Sequence, residues 1–318
     1  MKSKILSTIK IKNLAKKYFI FLILVGVIIL GSFSNPIFMT LRNQRNIMLD
    51  FSIPFILATG LTMVILIGGI DLSIGSIISL SGLVVGMLLP KTGILFAIII
   101  VLLMGASIGA LNGFFISRFT ILPFIVTLSS MIIWAGVALI LTKSIPVPIT
   151  NSSFRVIDHG SILGISLPWI YSLVIFILAI IFLNFHPTGR RIYQIGNDEE
   201  TARIAGIKVD KIKIGVYMLN GTIAALCGII VTSRMKLGDP TSGGDFLFDS
   251  IAAVCLGGTA LGGGQGGVIG TLGGVLFMLN LKNILILNDV SIYIQDVFRG
   301  AIILISIIIL NIQNQRRK

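Results

Sequence analysis

Residues 68–76 read Gly-Gly-Ile-Asp-Leu-Ser-Ile-Gly-Ser and lie between two long apolar runs, residues 47–67 and 72–89. Asp71 is the only acidic residue between Asp50 and Asp158. A carboxylate inside a bilayer costs about 2.5–3.5 kcal/mol, so its presence there calls for a function. Alternatively, Asp71 lies near the membrane surface and accepts backbone N–H bonds at the start of a helix. The topology of the whole chain decides between the two.

The composition is that of an integral membrane protein. Of 318 residues, 55% are hydrophobic and only 12% are charged, and the mean hydropathy is +1.02. The apolar segments are continuous and about 20 residues long, the length that a transmembrane helix needs. They do not alternate as the strands of a barrel do. We therefore predict an all-α polytopic membrane protein.

The apolar segments predict about ten transmembrane helices. The eighth is short for a full crossing, and we expect it to be broken or re-entrant. We divide the chain into a basic N-terminal segment (1–17), a transmembrane domain (18–311) that includes a loop at 186–213, and a C-terminal tail (312–318). The predicted spans are residues 18–34, 47–67, 72–89, 93–115, 121–142, 168–185, 214–232, 248–261, 267–287 and 292–311.

The distribution of basic residues predicts the orientation. If the N-terminus is cytoplasmic, the cytoplasmic segments hold 16 lysines and arginines and the outer segments hold eight. This bias follows the positive-inside rule and predicts both termini in the cytoplasm. The net charge of +13 therefore reflects topology, and the sequence lacks the basic stripe with interleaved aromatic residues that nucleic-acid binding requires.

Two series of glycines at intervals of four residues indicate close helix packing, because small residues let helix backbones approach each other. Each series follows a Gly-Gly pair near a polar turn, so an internal repeat is an alternative explanation. The two series are Gly105, Gly109 and Gly113, and Gly266, Gly270 and Gly274.

Motifs for catalysis, cofactors and metals are missing from the sequence. It contains no GxxxxGK[ST] motif, so it is not an ATPase. Residues 262–267 fit GxGxxG but follow an apolar helix instead of a strand, so we interpret them as a flexible turn. His159 and His186 are far apart, and both cysteines, Cys227 and Cys255, lie in apolar segments. We predict a non-catalytic protein with no cofactor and no metal of its own.

The loop at 186–213 holds a predicted short helix. Asn197 or Asp198 can cap it, and Glu199 and Glu200 in its first turn suit the helix dipole. Gly206 ends it. A helix of two or three turns is marginal in water on its own, so we expect it to pack against a partner protein.

Five motifs in order resemble the permease subunits of the ribose and simple-sugar ABC importers. The resemblance implies a bacterial inner-membrane protein that forms a dimer of permeases or pairs with a close paralogue. It also implies cytoplasmic ATPase subunits, which bind the ATP, and an extracytoplasmic sugar-binding protein. It further implies that the 186–213 loop couples to the ATPase through Gly196, Asn197, Glu200, Ala202, Arg203 and Gly206. The motifs are GGIDLSIGS (68–76), GALNG (109–113), GNDEETARIAGI (196–207), IAAVCLGGTALGGG (251–264) and RGAIIL (299–304).

The resemblance favours a pentose such as ribose as substrate, with nucleosides, a signalling furanose and branched-chain amino acids as alternatives. An ion-coupled carrier is a further alternative. A sugar needs hydroxyl partners and an aromatic face, but each polar candidate also suits a hydrogen bond between helices. Asp296 and Arg299 are expected to neutralise each other at i, i+3. The pathway candidates are Asn112, Thr127, Ser130, Trp134, Asn220, Asp249 and Gln295.

The predicted orientation, with both termini in the cytoplasm, also places residues 68–76. With the N-terminus inside, Gly68, Gly69 and Asp71 lie at the cytoplasmic end of the second span. Gly68 and Gly69 then permit a tight bend, and Asp71 and Ser73 form the first turn of the third span. We predict a rigid structural corner there, on the same face as the 197–206 helix.

Overall fold

The computed structural model describes the backbone of residues 19–315 and the side chains as far as residue 308. The predicted N-terminal segment 1–17 and residues 316–318 of the predicted tail lie outside the described residues. The described chain is almost entirely helical. Its helices are α1 (Phe19–Ser34), α2 (Leu41–Leu66), α3 (Ile74–Arg118), α4 (Pro123–Thr142), α5 (Val156–His159), α6 (Leu167–Phe185), α7 (Pro187–Asn197), α8 (Glu199–Ile204), α9 (Val209–Met235), α10 (Gly244–Leu256), α11 (Val268–Leu287) and α12 (Ile292–Gln315).

Six of these helices are long and apolar enough to cross a membrane, namely α2, α3, α4, α6, α9 and α11. The predicted short eighth span is present as α10, which has 13 residues. α2 and α9 form the centre of the bundle, since most of their residues are buried, whereas α4 and α6 are largely exposed at the periphery. The structure thus confirms a helical membrane protein.

The 45-residue helix α3 consists of two antiparallel segments. Gly93 interrupts it with φ 76° and ψ 173°, shortly after Pro90. Before the break, Gly82 packs on Thr232 of α9. After the break, the chain contacts progressively earlier residues of α9 and reaches Ile214 at Gly113. The chain therefore reverses direction at Gly93, and the two segments match the separately predicted spans 72–89 and 93–115.

The strands are short and lie in the connections. β1 (Val147–Pro148) pairs antiparallel with β4 (Leu237–Gly238), and β2 (Ser161–Ile162) forms a hairpin with β3 (Ile165–Ser166). A 3₁₀ helix at Ser152–Arg155 precedes α5. Arg234, at the end of α9, forms an ion pair with Asp158 at 3.0 Å and thereby holds this connection on the bundle.

The first glycine series makes the close contact between α3 and α9. A side chain at Gly105 would collide with the carbonyl oxygen of Gly221, and one at Gly109 would collide with the carbonyl oxygen of Tyr217. Backbone atoms cannot move aside as a flexible side chain can. The helices can approach this closely only because these positions lack a Cβ.

The second series behaves differently. Gly270 and Gly274 lie against the backbone of α10, at Gly257 and Ala253, as a packing series should. Gly266, however, has φ 120° and lies in the turn before α11, against Thr259. Gly266 therefore packs within a turn and not between two helices, since the helix begins only at residue 268, one residue after the predicted start at 267.

Substitution of Gly109 by leucine tests the contact between α3 and α9. Its side chain would meet the α9 backbone, and overpacking of this kind costs about 1–3 kcal/mol or more. We expect Gly109→Leu to lower the Tm of the purified protein by roughly 5 °C or more and to impair assembly. The measurement is thermal unfolding in detergent. In the control Gly136→Leu, the added Cβ has nothing within 4 Å. Equal Tm values for the two variants would contradict the close packing.

Candidate functional site

Asp71 is the centre of a buried polar network. Its Oδ1 accepts hydrogen bonds from the backbone nitrogen of Ser73 at 3.0 Å and from Ser73 Oγ at 2.6 Å. Its Oδ2 accepts one from Asn220 Nδ2 at 2.9 Å. Asp71 and Ser73 are completely buried, and Asn220 is 1% exposed. The carboxylate thus has three donors, and the described residues offer it no ion-pair partner.

The network extends to two further helices. Asn112 donates to Ser73 Oγ at 2.9 Å. This bond joins the second segment of α3, after Gly93, to the residue that precedes the first segment. Tyr217 of α9 and Thr127 of α4 both have their hydroxyl oxygens 3.3 Å from the carbonyl oxygen of Ile70. Residues that the sequence assigned to a structural corner and to a substrate pathway therefore form one cluster.

Asp71 and Ser73 were predicted in the first turn of the third span, but Ser73 is the N-cap of α3 and Asp71 lies two residues before it. Asn220, which bonds Asp71, is the twelfth residue of the 27-residue α9, roughly 16 Å from its first residue. The carboxylate is at that level of α9 and is completely buried. The turn after α2 lies at Ile67 and Gly68, with φ 77° at Gly68. The four residues that follow are not helical, and they carry the chain back between the helices before α3 begins.

One side of this cluster borders a half-open cavity of about 300 Å³ between α3 and α4. Three predicted residues line it: Asn112, Ser130 and Trp134. Ser130 is 6% exposed, and its Oγ has no hydrogen-bond partner. By contrast, the predicted pathway residues Thr127 and Asn220 are fully buried and serve as hydrogen-bond partners between segments.

Asp249 and Gln295 belong to a separate region between α10, α11 and α12. Asp249 forms an ion pair with Arg299 Nε at 2.8 Å, and Asp296 lies 3.5 Å from the same guanidinium. The expected pair of Asp296 and Arg299 is thus confirmed, but Asp249 is the nearer partner. A cavity of only about 40 Å³ lies beside these residues and Gln295. We interpret these ion pairs as a structural contact that holds α12 against α10.

The predicted coupling segment rests on two membrane turns. A side chain at Gly196 would collide with the carbonyl oxygen of Leu66 and the nitrogen of Gly264. The same two atoms are joined by a 2.9 Å hydrogen bond from Gly264 to Leu66. Asn197 packs against Gly264. The end of α7 is therefore wedged where α2 ends and where the glycine turn 262–267 begins.

The short helix after this wedge is capped and charged as expected. Asp198 is its N-cap and accepts a hydrogen bond from the nitrogen of Thr201 at 3.0 Å, and this bond holds the pKa of Asp198 below its usual value. Burial raises the pKa of Glu199, but hydrogen bonds and charges from Lys213 and Arg203 outweigh it and lower that pKa.

The rest of the short helix α8 agrees in part with the predicted helix at 197–206. Ala202 is buried, Glu200 is exposed, and Arg203 bonds Asp210 as well as Glu199. Gly206 has φ 80° and ends the helix. The helix itself, Glu199–Ile204, is shorter than the predicted 197–206.

Sequence reasoning missed α7 and Tyr217. α7 begins with Pro187 after His186, whose Nδ1 accepts a hydrogen bond from the nitrogen of Thr188. It buries Ile192 and Ile195, a spacing of three residues that could have revealed it. Tyr217 lies three residues before Asn220, so two polar side chains on one face of an apolar helix were the available signal.

The described residues form a helical membrane protein with a buried polar cluster around Asp71 and a charged segment at α7 and α8. The chain matches the family described as branched-chain amino acid transport system, permease component, over residues 43–307. The chain belongs to this permease family. As a permease component it is the membrane part of a transport system. No solved structure matches the chain significantly.

Curated relatives cover nearly the whole chain. It is 40% identical over 292 residues to the ribose import permease protein RbsC of Bacillus subtilis, with 91% of each chain covered. It is 38% identical over 294 residues to RbsC of Haemophilus influenzae, again with 91% of each covered. The L-arabinose ABC transporter permease protein AraH of Azospirillum brasilense is 33% identical over 300 residues, covering 94% of this chain and 88% of AraH.

Two substitutions at Asp71 separate its charge from its hydrogen bonds. Asp71→Ala leaves three donors without an acceptor, which we expect to cost about 2–4 kcal/mol and to abolish transport. Asp71→Asn keeps an oxygen for Ser73, and its NH₂ group can donate to the unpartnered Asn220 Oδ1 after that amide turns over. We expect the asparagine variant to fold with a wild-type Tm. Thermal unfolding and transport assays check both, and full transport by Asp71→Ala would refute the structural role.

Proposed function

We propose that this protein is the permease subunit of an ATP-binding-cassette importer that passes a monosaccharide, most simply a pentose such as ribose, into the cytoplasm. The observation that carries the proposal is the 40% identity to a ribose import permease over 91% of both chains. The cavity between α3 and α4 supports it, because its lining has hydroxyl, amide and indole groups and no charged side chain. An amino acid would bring two charges into that lining, so a neutral sugar fits it better.

The proposed topology has ten crossings with both termini in the cytoplasm. α3 supplies two of them, since it reverses at Gly93, and the helices α1, α10 and α12 complete the number. The excess of basic residues in segments 1–17 and 186–213 supports this orientation. The two glycine series match only in part as an internal repeat. Gly105, the first of one series, lies in a helix, whereas Gly266, the first of the other, lies in a turn.

The partners we propose are two cytoplasmic ATPase subunits, an extracytoplasmic sugar-binding protein and a second permease copy or a close paralogue. ATP binds to the ATPase subunits, and this chain performs no bond chemistry. The surface of α8 supports a protein partner on that side. Ile204 is 82% exposed there, on a helix in which Glu199 pairs with Arg203 and with Lys213 of α9.

The coupling route we propose runs through the wedge at Gly196. Movement of the ATPase subunits shifts α7 and α8, and the wedge passes this shift to the end of α2 and to the glycine turn. Four glycines with positive φ between residues 263 and 267 let that turn change shape. The non-helical residues 69–72, which follow the turn after α2, include Asp71 itself.

The alternative is an ion-coupled carrier, for which Asp71 is the best-placed carboxylate. It lies deep in the bundle without a cation partner among the described residues. Its three hydrogen bonds already satisfy a structural role, however, and the family match favours an ATP-driven system.

Reconstitution tests the proposed function directly. We expect proteoliposomes with the permease, its ATPase and a ribose-loaded binding protein to take up ribose only with ATP. Uptake should survive an uncoupler that collapses ion gradients. Uptake that stops with the uncoupler while ATP is present would refute the proposal in favour of an ion-coupled carrier.

Gly196→Ala tests the coupling route. Its Cβ would push α7 away from Leu66 and Gly264, and we expect the assembled complex to hydrolyse ATP normally while ribose uptake per ATP falls several-fold. The control is Gly215→Ala in α9, where an added Cβ meets nothing within 4 Å. If both variants transport like the wild type, the wedge does not transmit movement.

A further inference from the structure

Lys213 of α9 is a mostly buried cation whose partner lies on another helix. Its side chain is 13% exposed, and its Nζ lies 2.5 Å from Oε2 of Glu199, the first residue of α8. A buried charge is costly unless an opposite charge pairs with it, so the position of Lys213 depends on Glu199. Only residues 205–208 separate the two helices along the chain. The pair therefore ties α8 directly to the fifth residue of α9.

A second ion pair joins the same two helices. Arg203, near the end of α8, has its Nη2 2.5 Å from Oδ1 of Asp210 in the first turn of α9 and 3.1 Å from Oε1 of Glu199. Lys213, Glu199, Arg203 and Asp210 thus alternate in charge, and we call them the α8–α9 ion network. Its formal charge is zero. Two cross-links of this kind fix both the distance and the orientation of α8 relative to α9.

Lys213 lies on the face of α9 that reaches the Asp71 cluster. Tyr217 and Asn220 follow it at i+4 and i+7, spacings that place all three residues on one face of a helix. The Tyr217 hydroxyl is 3.3 Å from the carbonyl oxygen of Ile70, and Asn220 donates to Asp71 at 2.9 Å. Seven residues of helix span roughly 10 Å. One face of α9 therefore connects α8 with the buried carboxylate.

α9 is a single rigid element between these two contacts. Its 27 residues form a continuous helix, and they include no proline, the residue that most often kinks a helix. Gly113 and Gly109 bring the second segment of α3 onto its backbone at Ile214 and Tyr217. A displacement of Lys213 along the helix axis is therefore shared by the residues of α9 that contact the Asp71 cluster.

We propose that Lys213 and Glu199 are positioning residues of the transport cycle, which make α9 follow the movement of α8. The proposal rests on the proposed function, an importer driven by separate ATPase subunits, and adds a second mechanical link to the wedge at Gly196. Neither residue is among the coupling positions that the family resemblance implies. The wedge contacts Leu66, before the non-helical stretch, and α9 holds Asp71 within it. The two links together displace this stretch as a unit.

The ion network borders open space into which α8 can move. A half-open cavity of about 350 Å³ lies between the start of α8 and the connection from α3 to α4. Glu199 and Lys213 line it together with Thr120 and Pro123 of that connection and with Gly68 after α2. A close-packed interior resists displacement, whereas unfilled space beside a helix permits it. The segment that the ATPase subunits are proposed to move therefore has room to do so with its ion pairs intact.

The ion network is suited to fixing geometry and contributes little to stability. The side chains of Glu199, Arg203 and Asp210 are 39% to 44% exposed, and exposed ion pairs add little to the free energy of unfolding because water screens them. Lys213→Met keeps most of the apolar stem and removes the charge, while Glu199 keeps Arg203 as a partner. Loss of coupling in this variant therefore reports on positioning and not on unfolding.

Coupling efficiency in the assembled complex tests the link. Proteoliposomes contain the permease, its ATPase subunits and ribose-loaded binding protein, and the measurement is ribose uptake per ATP hydrolysed. We expect Lys213→Met to lower this ratio about three- to tenfold, with hydrolysis retained and the Tm within about 2 °C of the wild type. Lys213→Arg keeps the cation and should restore most of the ratio. The control Lys211→Met, at an exposed lysine of α9 without an ion pair among the described residues, should match the wild type.

A reversible cross-link tests whether the link is mechanical. Glu199→Cys/Lys213→Cys lacks the ion pair, and we expect the reduced protein to lose coupling as Lys213→Met does. A short bifunctional methanethiosulfonate reagent then joins α8 to α9, and uptake per ATP should recover about threefold or more and fall again with dithiothreitol. The native Cys227 and Cys255 are buried, so they are protected from the reagent. No recovery in fully cross-linked protein would overturn the mechanical link.

Combination with Gly196→Ala separates the two links. Parallel links predict lower coupling in Gly196→Ala/Lys213→Met than in either single variant. A double variant no worse than Gly196→Ala alone would show that Lys213 acts through the wedge, which contradicts the route along α9. If the wild type takes up ribose with ATP but Lys213→Met matches it, the positioning role is refuted and the proposed function stands. If the wild type shows no ATP-dependent uptake, the proposed function fails and the positioning role fails with it.

Discussion

The hydrogen bonds that Asp71 accepts from Ser73 and Asn220 hold the centre of this bundle together. The carboxylate is completely buried, so its stability depends on those donors being in place. The donors come from the start of α3 and from α9, and Asn112 adds the second segment of α3. A polar group that must be satisfied in the interior fixes the relative positions of these segments more strictly than apolar contacts do. The depth and register of α3 follow from this requirement.

The glycines make that arrangement sterically possible. Asn220 reaches Asp71 next to Gly60, where a Cβ would lie 2.7 Å from Asn220 Oδ1. Tyr217 occupies the space that a side chain at Gly69 would need. Gly105 and Gly109 bring α3 onto the backbone of α9. Because van der Waals packing drives helix association in membranes, close contact and the buried network stabilise the same helix pair.

The sequence predicted features that depend on local composition, such as helix positions and caps. It predicted fewer of the features that depend on how the helices pack. Apolar length located the helices, including the short α10 and the reversal between residues 89 and 93, because the need for internal hydrogen bonds in lipid is the same at every position. The cap at Asp198 and the end at Gly206 were equally local. The burial of Asp71 beside Asn220 was not predicted, since it depends on which helix the non-helical residues 69–72 pack against. The contact of Gly266 with Thr259 in the turn before α11 was not predicted either, because spacing alone does not show which residues a glycine meets.

The candidate site illustrates the same division. Asn112, Ser130 and Trp134 were identified as polar or aromatic residues in apolar helices, but nothing in their spacing showed that they share one cavity while Thr127 and Asn220 do not. That sharing depends on how α3 and α4 pack, which brings Asn112 to the same cavity as Ser130 and Trp134. The stretch from Leu66, the last residue of α2, to Ser73 makes different contacts at its two ends. One end contacts the wedge at Gly196, and the other orients the amide that borders the cavity. On the proposed coupling route, a shift of α7 would reach the cavity through this one short segment of chain, without movement of a whole domain.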